Sequence, residues 1–250
     1  MHSIITRYTY VMDLLENLAH NQSHNPRELV ICSPREEFLD QILSGQRERQ
    51  DNLRATQHPD GDEGEEAQND GASVSGLDFL SPTLSALSTS RFIKLVFCPT
   101  VSSLRGYFSS RSPISISTTS YKTTDLIILN LVTQHHSSSE FTFQGLSQTL
   151  ATIVSASTRM GQVVQLVECK DAKDPANAVS GSALWNAEVP LLSMSIKIGE
   201  DGARWGRRTV AVHKIASRWF SAEKSIDRNT TSRAATQRTE IPDSEDEMLI

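Results

Sequence analysis

The chain has 250 residues, with 24 Lys and Arg against 30 Asp and Glu, a formal net charge of −6 and a hydrophobic share of 38%. Globular domains are usually roughly 45–50% apolar, so we expect one core domain diluted by polar segments. No run approaches the roughly 18 apolar residues of a membrane helix, and the N-terminus lacks a secretory signal pattern, so we expect no membrane association. Three cysteines, an odd number, do not suggest a disulfide framework and indicate a reducing compartment.

Two polar segments border or interrupt the predicted core. Residues 46–76 have few branched apolar side chains and an acidic centre, which predicts a disordered acidic insertion. Residues 225–250 are polar and end in an acidic run, which predicts a disordered acidic tail. We therefore divide the chain into an N-terminal helical segment at residues 1–27, an α/β domain at residues 28–224 that carries the insertion, and the tail. The first 20 residues have apolar side chains at mixed helical spacing, which predicts an amphipathic helix that covers the sheet or docks on a partner.

In chain order, the core alternates strand-like and helix-like segments. A helix that begins at Pro34 has two acids in its first turn, and the apolar run at residues 125–132 is typical of a central strand. Strand, helix and strand at such lengths favour a parallel sheet flanked by helices. The predicted strands are residues 28–33, 91–98, 125–132 and 162–168, and the further predicted helices are residues 101–108 and 143–160.

The pattern changes near the C-terminus. Residues 189–198 and 208–215 are strand-like and enclose the turn sequence GEDGARWG, which predicts an antiparallel hairpin. Residues 218–220 are a candidate final edge element. The predicted fold class is therefore α/β, with a mostly parallel sheet, flanking helices and an antiparallel C-terminal hairpin.

This order of elements resembles the core of the RecA-like recombinases and their paralogues. The resemblance rests on the buried strand at residues 126–131, the helix that contains GLSQTLATIVSA, the strand VVQLVE, a segment with Trp185, and the hairpin sequence that begins Gly206-Arg207-Arg208. It covers roughly residues 28–220 without the insertion. The resemblance implies a RecA-like fold for that part of the chain.

The sequence departs from the family at both parts of the nucleotide site. A phosphate-binding loop needs G-x-x-x-x-G-K-[ST] after the first strand, but residues 33–40 read SPREEFLD, without glycine or lysine. Pro34 removes one backbone N–H, and Glu36 and Glu37 repel a polyphosphate. Asn130 stands where the family places a metal-binding aspartate. We therefore predict no catalytic residues, no metal and no cofactor, hence a protein that is not an enzyme.

Members of this family without nucleotide-binding residues typically act as partners of other proteins. The chain looks like a subunit of a Shu-type complex, which implies a nuclear protein that pairs with a recombinase or another recombinase paralogue in homologous recombination. The alternative is an accessory subunit of the Elongator type, which has the same fold, lacks ATPase activity and acts on tRNA.

A basic segment near the C-terminus favours the recombination hypothesis. From Arg204 to Arg238 there are nine basic residues against two acids, a local excess of +7. Interleaved cations and tryptophans suit contact with phosphates and stacking on single-stranded DNA. The alternative is a solvated hairpin whose arginines balance the acidic tail and whose tryptophans pack in the core. The predicted nucleic-acid-binding residues are Arg204, Trp205, Arg207, Arg208, Lys214 and Arg218.

The acidic tail is a second candidate interaction site. Ile241, Asp243, Ser244 and Glu245 belong to a short apolar and acidic stretch that is able to add as a β-strand to a partner, and Ser244 is a possible phosphorylation site. The alternative is a solubilising tail.

Cysteines and histidines give weaker signals. Cys32, Cys98 and Cys169 each close a predicted strand, but no zinc-like spacing accompanies them, so we expect buried thiols and no metal site. His135 and His136 follow the central strand, and without a nucleophile motif we expect them to lie in a polar loop.

Overall fold

The computed structural model describes residues 2–20, 25–56, 84–111, 125–191 and 208–223. None of the helices in these ranges combines the length and the hydropathy that a membrane span requires. The described residues form an α/β fold whose centre is a six-stranded sheet in the order β3-β2-β4-β5-β1-β8, in which every pair of neighbours is parallel. The predicted fold class is confirmed at this level. The strands of the sheet are β1 (His2–Ile5), β2 (Arg27–Ile31), β3 (Ile93–Phe97), β4 (Asp125–Leu129), β5 (Val163–Val167) and β8 (Phe220–Ala222).

Helices cover both faces of this sheet, because successive side chains of a strand point to opposite faces. Leu29 of β2 packs in one apolar cluster with helices α1 and α2, whereas its neighbour Val30 packs in another with α4, α5, α6 and α7. The helices are α1 (Val11–His20), α2 (Arg35–Thr56), α3 (Leu84–Ser90), α4 (Val101–Ser110), α5 (Leu131–His136), α6 (Phe143–Arg159) and α7 (Val212–Ala216), with a 3-10 helix at Gly181–Asn186.

The N-terminal segment differs from the prediction, because its first residues form a strand and not a helix. β1 lies inside the sheet and pairs with both β5 and β8. Ile4 and Ile5 are buried on opposite faces of the sheet. The segment that we separated at residue 27 thus contributes a strand to the sheet of the α/β domain. A four-residue strand followed closely by a helix produced one apolar pattern that resembled a single helix.

Helix α2 also differs from the prediction, because it extends through residue 56 and so includes the first part of the expected disordered insertion at 46–76. Arg49 forms ion pairs with Asp13 and Glu16 of α1, and Tyr10 donates to Glu48 at 3.2 Å. These contacts hold a polar helix against its neighbour without a large apolar face. Residues 57–83 lie outside the described part of the chain, as does the tail predicted at 225–250.

The C-terminal hairpin is present but shorter than predicted. β6 (Glu188–Pro190) pairs antiparallel with β7 (Thr209–Ala211), and residues 192–207 lie outside the described ranges. Residues 212–215, predicted as strand, begin helix α7 because Val212 and Ile215, three residues apart, are both buried against the core. β8 forms the sheet edge close to the edge element predicted at 218–220.

Candidate functional site

The carboxyl ends of the central strands enclose a small cleft. The chain leaves β2 toward the face that packs α2, and it leaves the neighbouring β4 toward the face that packs α5. Such a divergence is where ligands bind in open α/β sheets. The cleft has a volume of about 90 Å³. The described residues that line it are Cys32, Ser33, Pro34, Glu37, Gln41, Pro99, Asn130, Thr133, Gln134 and Ser137.

This cleft is unsuited to a nucleotide. At about 90 Å³, it is far smaller than the roughly 300–1,000 Å³ of typical ligand pockets. Among the described residues that line it, Glu37 carries a charge and none is a lysine or an arginine. Residues 33–40, which lack the phosphate-binding motif, follow β2, and Pro34 and Glu37 of this stretch line the cleft.

The loop after β1 is also unsuited to bind a phosphate. β1 precedes β2, which the sequence pattern predicted as the first strand. Residues 6–10 read TRYTY and contain neither glycine nor lysine. The carboxylate of Asp13 accepts hydrogen bonds from the backbone N–H groups of Thr9 at 3.1 Å and Tyr10 at 2.8 Å. These amides are therefore already paired, and the partner is an anion that repels phosphate.

Asn130 has a structural role at the end of β4. The strand ends at Leu129, three residues before the predicted end at 132, and Asn130 adopts the left-handed conformation with φ 61° and ψ 38°. Asparagine tolerates this region better than most residues. Its side-chain oxygen accepts from the Cys169 N–H at 2.8 Å and so connects the ends of β4 and β5. The Asn130 side chain thus holds the ends of these two strands together.

Glu168 caps the beginning of helix α5. Its carboxylate accepts from the backbone N–H of Val132 at 2.6 Å and of Thr133 at 3.1 Å, and from the Thr133 hydroxyl at 2.8 Å. Burial raises the pKa of Glu168 to about 7, although these hydrogen bonds oppose the rise. The sequence did not indicate this role, since a charged residue at a strand end normally faces water.

His135 lies in helix α5, fully buried, and not in the polar loop that we predicted. Its Nε2 lies 3.0 Å from the Thr149 hydroxyl, and its Nδ1 lies 3.3 Å from the Glu140 carbonyl oxygen. Burial lowers the pKa of His135 to about 4, so the ring is neutral near pH 7. A neutral ring with its proton on Nδ1 satisfies both contacts.

Arg105 completes this network from helix α4. Its guanidinium donates to the Thr149 hydroxyl and to the Gly145 carbonyl, both at 2.8 Å, and it pairs with the Glu140 carboxylate at 2.5 Å. The network thus joins α4, the loop after α5, and α6. Its groups are paired with one another, which indicates a structural role.

The three cysteines are buried free thiols, in agreement with our expectation. Burial raises the pKa of Cys98 to about 11, and it also raises those of Cys32 and Cys169. Neutral thiols are poor metal ligands and poor nucleophiles. In the described part of the chain, no three His, Cys, Asp or Glu side chains form a group able to hold a metal ion.

Three residues of the predicted nucleic-acid site are described, and all three are exposed: Arg208, Lys214 and Arg218. The Arg218 guanidinium lies over the ring of Phe143, with 5.1 Å between Cζ and the ring centroid. Trp219 is half-buried and packs against the core, as the alternative interpretation of the tryptophans proposed. The other predicted residues, Arg204, Trp205 and Arg207, and the tail residues Ile241, Asp243, Ser244 and Glu245, lie outside the described ranges.

Comparisons with protein families, with curated proteins and with solved structures found no match to this chain.

Proposed function

We propose that the chain is a non-catalytic RecA-like subunit of a nuclear heteromeric complex that assists homologous recombination and binds single-stranded DNA. Its protein partner is a recombinase or another recombinase paralogue. A RecA-like scaffold is supported by the resemblance of the sequence. It is also supported by the order of the strands, helices and C-terminal hairpin along the chain.

The absence of catalysis is supported by the two loops at the carboxyl ends of β1 and β2. In one loop Asp13 pairs with the backbone N–H groups, and in the other Pro34 and Glu37 border a cleft of about 90 Å³. Neither arrangement favours a bound polyphosphate. We therefore expect a titration with Mg²⁺ and ATP to show no specific binding by calorimetry, and a stoichiometric binding isotherm would contradict this part of the proposal.

The DNA-binding part of the proposal rests on the exposure and the unpaired charge of the described basic residues near the C-terminus. Arg208, Lys214 and Arg218 are exposed, and within the described ranges none of them forms an ion pair. Lys214 lies within α7, and Arg218 lies in the turn that follows this helix. Exposed cations without a carboxylate partner are suited to phosphate contacts.

A DNA-binding measurement tests this part. We expect the full chain to bind a fluorescent single-stranded oligonucleotide at low salt, with an affinity that falls steeply as salt rises. Arg208→Ala/Lys214→Ala should weaken binding roughly tenfold or more, whereas Arg35→Ala/Arg159→Ala should have little effect. The control removes the same charge from exposed positions on α2 and α6. Equal losses in both variants, or no binding at low salt, would contradict the proposal.

The choice of complex is tested by affinity purification of the tagged full chain and identification of the bound proteins. A recombinase, a recombinase paralogue or a zinc-binding recombination partner supports the proposal. Large Elongator subunits in its place would favour the Elongator-type alternative.

A further inference from the structure

We infer that Phe143 and Arg218 together form a stacking site for an unpaired base of single-stranded DNA. This inference rests on the proposed function and adds to it a residue 75 positions away from Arg218 in the sequence. The contact is the guanidinium of Arg218 above the Phe143 ring, with 5.1 Å between Cζ and the ring centroid. A planar guanidinium is able to stack between an aromatic ring and a nucleobase.

Phe143 is held firmly at the beginning of α6. The preceding residue, Thr142, caps this helix by accepting from the Gly145 N–H at 3.0 Å. Gly145 packs so closely that a Cβ atom there would lie 2.3 Å from the Glu140 carbonyl oxygen. The ring of Phe143 is half-buried against the core. A ring fixed in this way loses little conformational freedom when a base stacks nearby.

The electrostatics around Phe143 favour an anionic strand. Arg218 is exposed, and among the described residues it has no carboxylate partner, while Lys214 is exposed four residues earlier in the chain. Glu140 is the acid of the loop before α6, and its charge is offset by Arg105 at 2.5 Å. The surface therefore presents Lys214 for a phosphate and, for a base, the Arg218 guanidinium supported by the Phe143 ring.

Neighbouring aromatic rings extend this surface. Phe141 and Phe143 flank the extended residue Thr142, with φ −134° and ψ 160°, and both pack against the same core cluster. The exposed His136 lies against Phe141, with ring centroids 5.0 Å apart and an interplanar angle of 73°. This loop therefore places two further aromatic side chains, Phe141 and His136, close to Phe143 in the chain.

The test measures the affinity of the full chain for a labelled oligothymidylate of about 20 nucleotides, with two conservative variants. Arg218→Lys keeps the charge but removes the planar group, and Phe143→Leu keeps an apolar side chain but removes the ring. We expect each to weaken binding roughly tenfold, because base stacking contributes about that factor. The double variant should be little weaker than either single variant, since the two groups act together.

Two matched variants serve as controls. Arg159→Lys changes an exposed arginine at the end of α6. Phe97→Leu changes a half-buried phenylalanine on the other face of the sheet. Both should leave affinity within twofold of the unmodified chain. Arg218→Lys alters an exposed residue and so tests the inference even if Phe143→Leu impairs folding.

An oligonucleotide with abasic sites separates stacking from phosphate contact. The unmodified chain should bind the abasic strand roughly tenfold more weakly, and Arg218→Lys should cause no further loss on it. If Arg218→Lys and Phe143→Leu bind the normal strand as tightly as the unmodified chain while Arg208→Ala/Lys214→Ala binds weakly, the stacking site is wrong and the proposed function stands. If the unmodified chain does not bind DNA at low salt, both proposals fail.

Discussion

The carboxylate of Glu168 accepts a hydrogen bond of 2.6 Å from the backbone N–H of Val132. Glu168 follows strand β5 and Val132 lies in the first turn of helix α5, so the contact joins the end of one strand to the helix that follows its neighbour. Both groups are buried. The beginning of α5, which supplies Thr133 and Gln134 to the lining of the cleft, is therefore capped by a single carboxylate.

We expect the stability of the protein to fall as pH rises from about 4.5 to about 7. The pKa of Glu168 is about 7 in the folded protein against an ordinary 4.5, so in this interval the folded state holds a proton that the unfolded state has released. The loss should approach about 3 kcal/mol, and the dependence should level off above pH 7, where both states are ionised. Urea unfolding at a series of pH values measures it.

Glu168→Gln is the control for this pH dependence, because it removes the titrating group and keeps a side-chain oxygen acceptor. The variant should lose most of the slope between pH 4.5 and 7, whatever its absolute stability. Thr133→Val removes one hydrogen-bond donor to the carboxylate, and it should move the upper limit of the slope to higher pH. An unchanged slope in Glu168→Gln would refute the assignment.

A buried charge cluster around Glu28 predicts the opposite response to pH. Glu28 of β2 accepts from Lys94 at 2.9 Å, from Arg111 at 2.6 Å and from the hydroxyl of Tyr107. Burial raises the pKa of Glu28, but the hydrogen bonds from Tyr107 and Lys94 and the charge of Arg111 outweigh it, and the pKa lies below its ordinary value. The stabilisation is therefore present above pH 4.5 and is lost as pH falls through the folded-state pKa.

We expect Glu28→Gln to destabilise the protein by about 3–5 kcal/mol near pH 7, because it leaves the largely buried Arg111 without its counter-charge. The matched control is Glu223→Gln, which breaks a pair with Arg7 whose side chains are 38% and 54% exposed. That substitution should cost at most about 1 kcal/mol. Chemical unfolding of both variants provides the comparison, and equal costs would contradict a buried cluster.

We expect alanine substitutions at three glycines to change the free energy of unfolding by different amounts. Gly181 has φ +61°, and a Cβ there would lie 2.9 Å from the Lys170 backbone nitrogen, so Gly181→Ala should cost about 2 kcal/mol or more. Gly161 has φ +64° with open space around it, so Gly161→Ala should cost about 1 kcal/mol from backbone strain alone. Gly106 lies within helix α4 with open space, and Gly106→Ala should stabilise by about 0.5–1 kcal/mol. Thermal unfolding of the three variants should give this order.

The cysteines predict a difference in reactivity between the folded and the unfolded chain. The thiols of Cys32, Cys98 and Cys169 are buried and their pKa values are raised, so at pH 8 they are protonated and inaccessible. We expect negligible reaction with a thiol reagent in the folded protein. After unfolding, all three cysteines of the chain should react. Rapid labelling of the folded protein would show that a strand end is open to solvent.

Much of the architecture was predictable because the signals are local. The apolar run of β4 and the apolar spacing of α6 each bury one continuous surface, so composition and period alone indicate them. The three cysteines at strand ends were recognisable as buried residues for the same reason. The absence of a glycine and lysine loop after β2 was also visible in the residues, and the structure adds that the corresponding cleft is small.

Other features depend on residues that are distant in sequence. β1 was hidden because a four-residue strand is defined by its pairing with β5 and β8, not by its own pattern. The burial of His135 follows from its contact with Thr149 of α6, and nothing in the adjacent residues distinguishes it from a loop histidine.

The chain's own composition and periodicity thus determined the fold class, the buried strands and the basic character of the C-terminal segment, because apolar period and local charge are properties of neighbouring residues. The tertiary structure alone decided the strand order, the cap that Glu168 provides and the meeting of Arg218 with Phe143. Each of these depends on which distant groups share one small volume, and burial and hydrogen bonding are determined by that proximity.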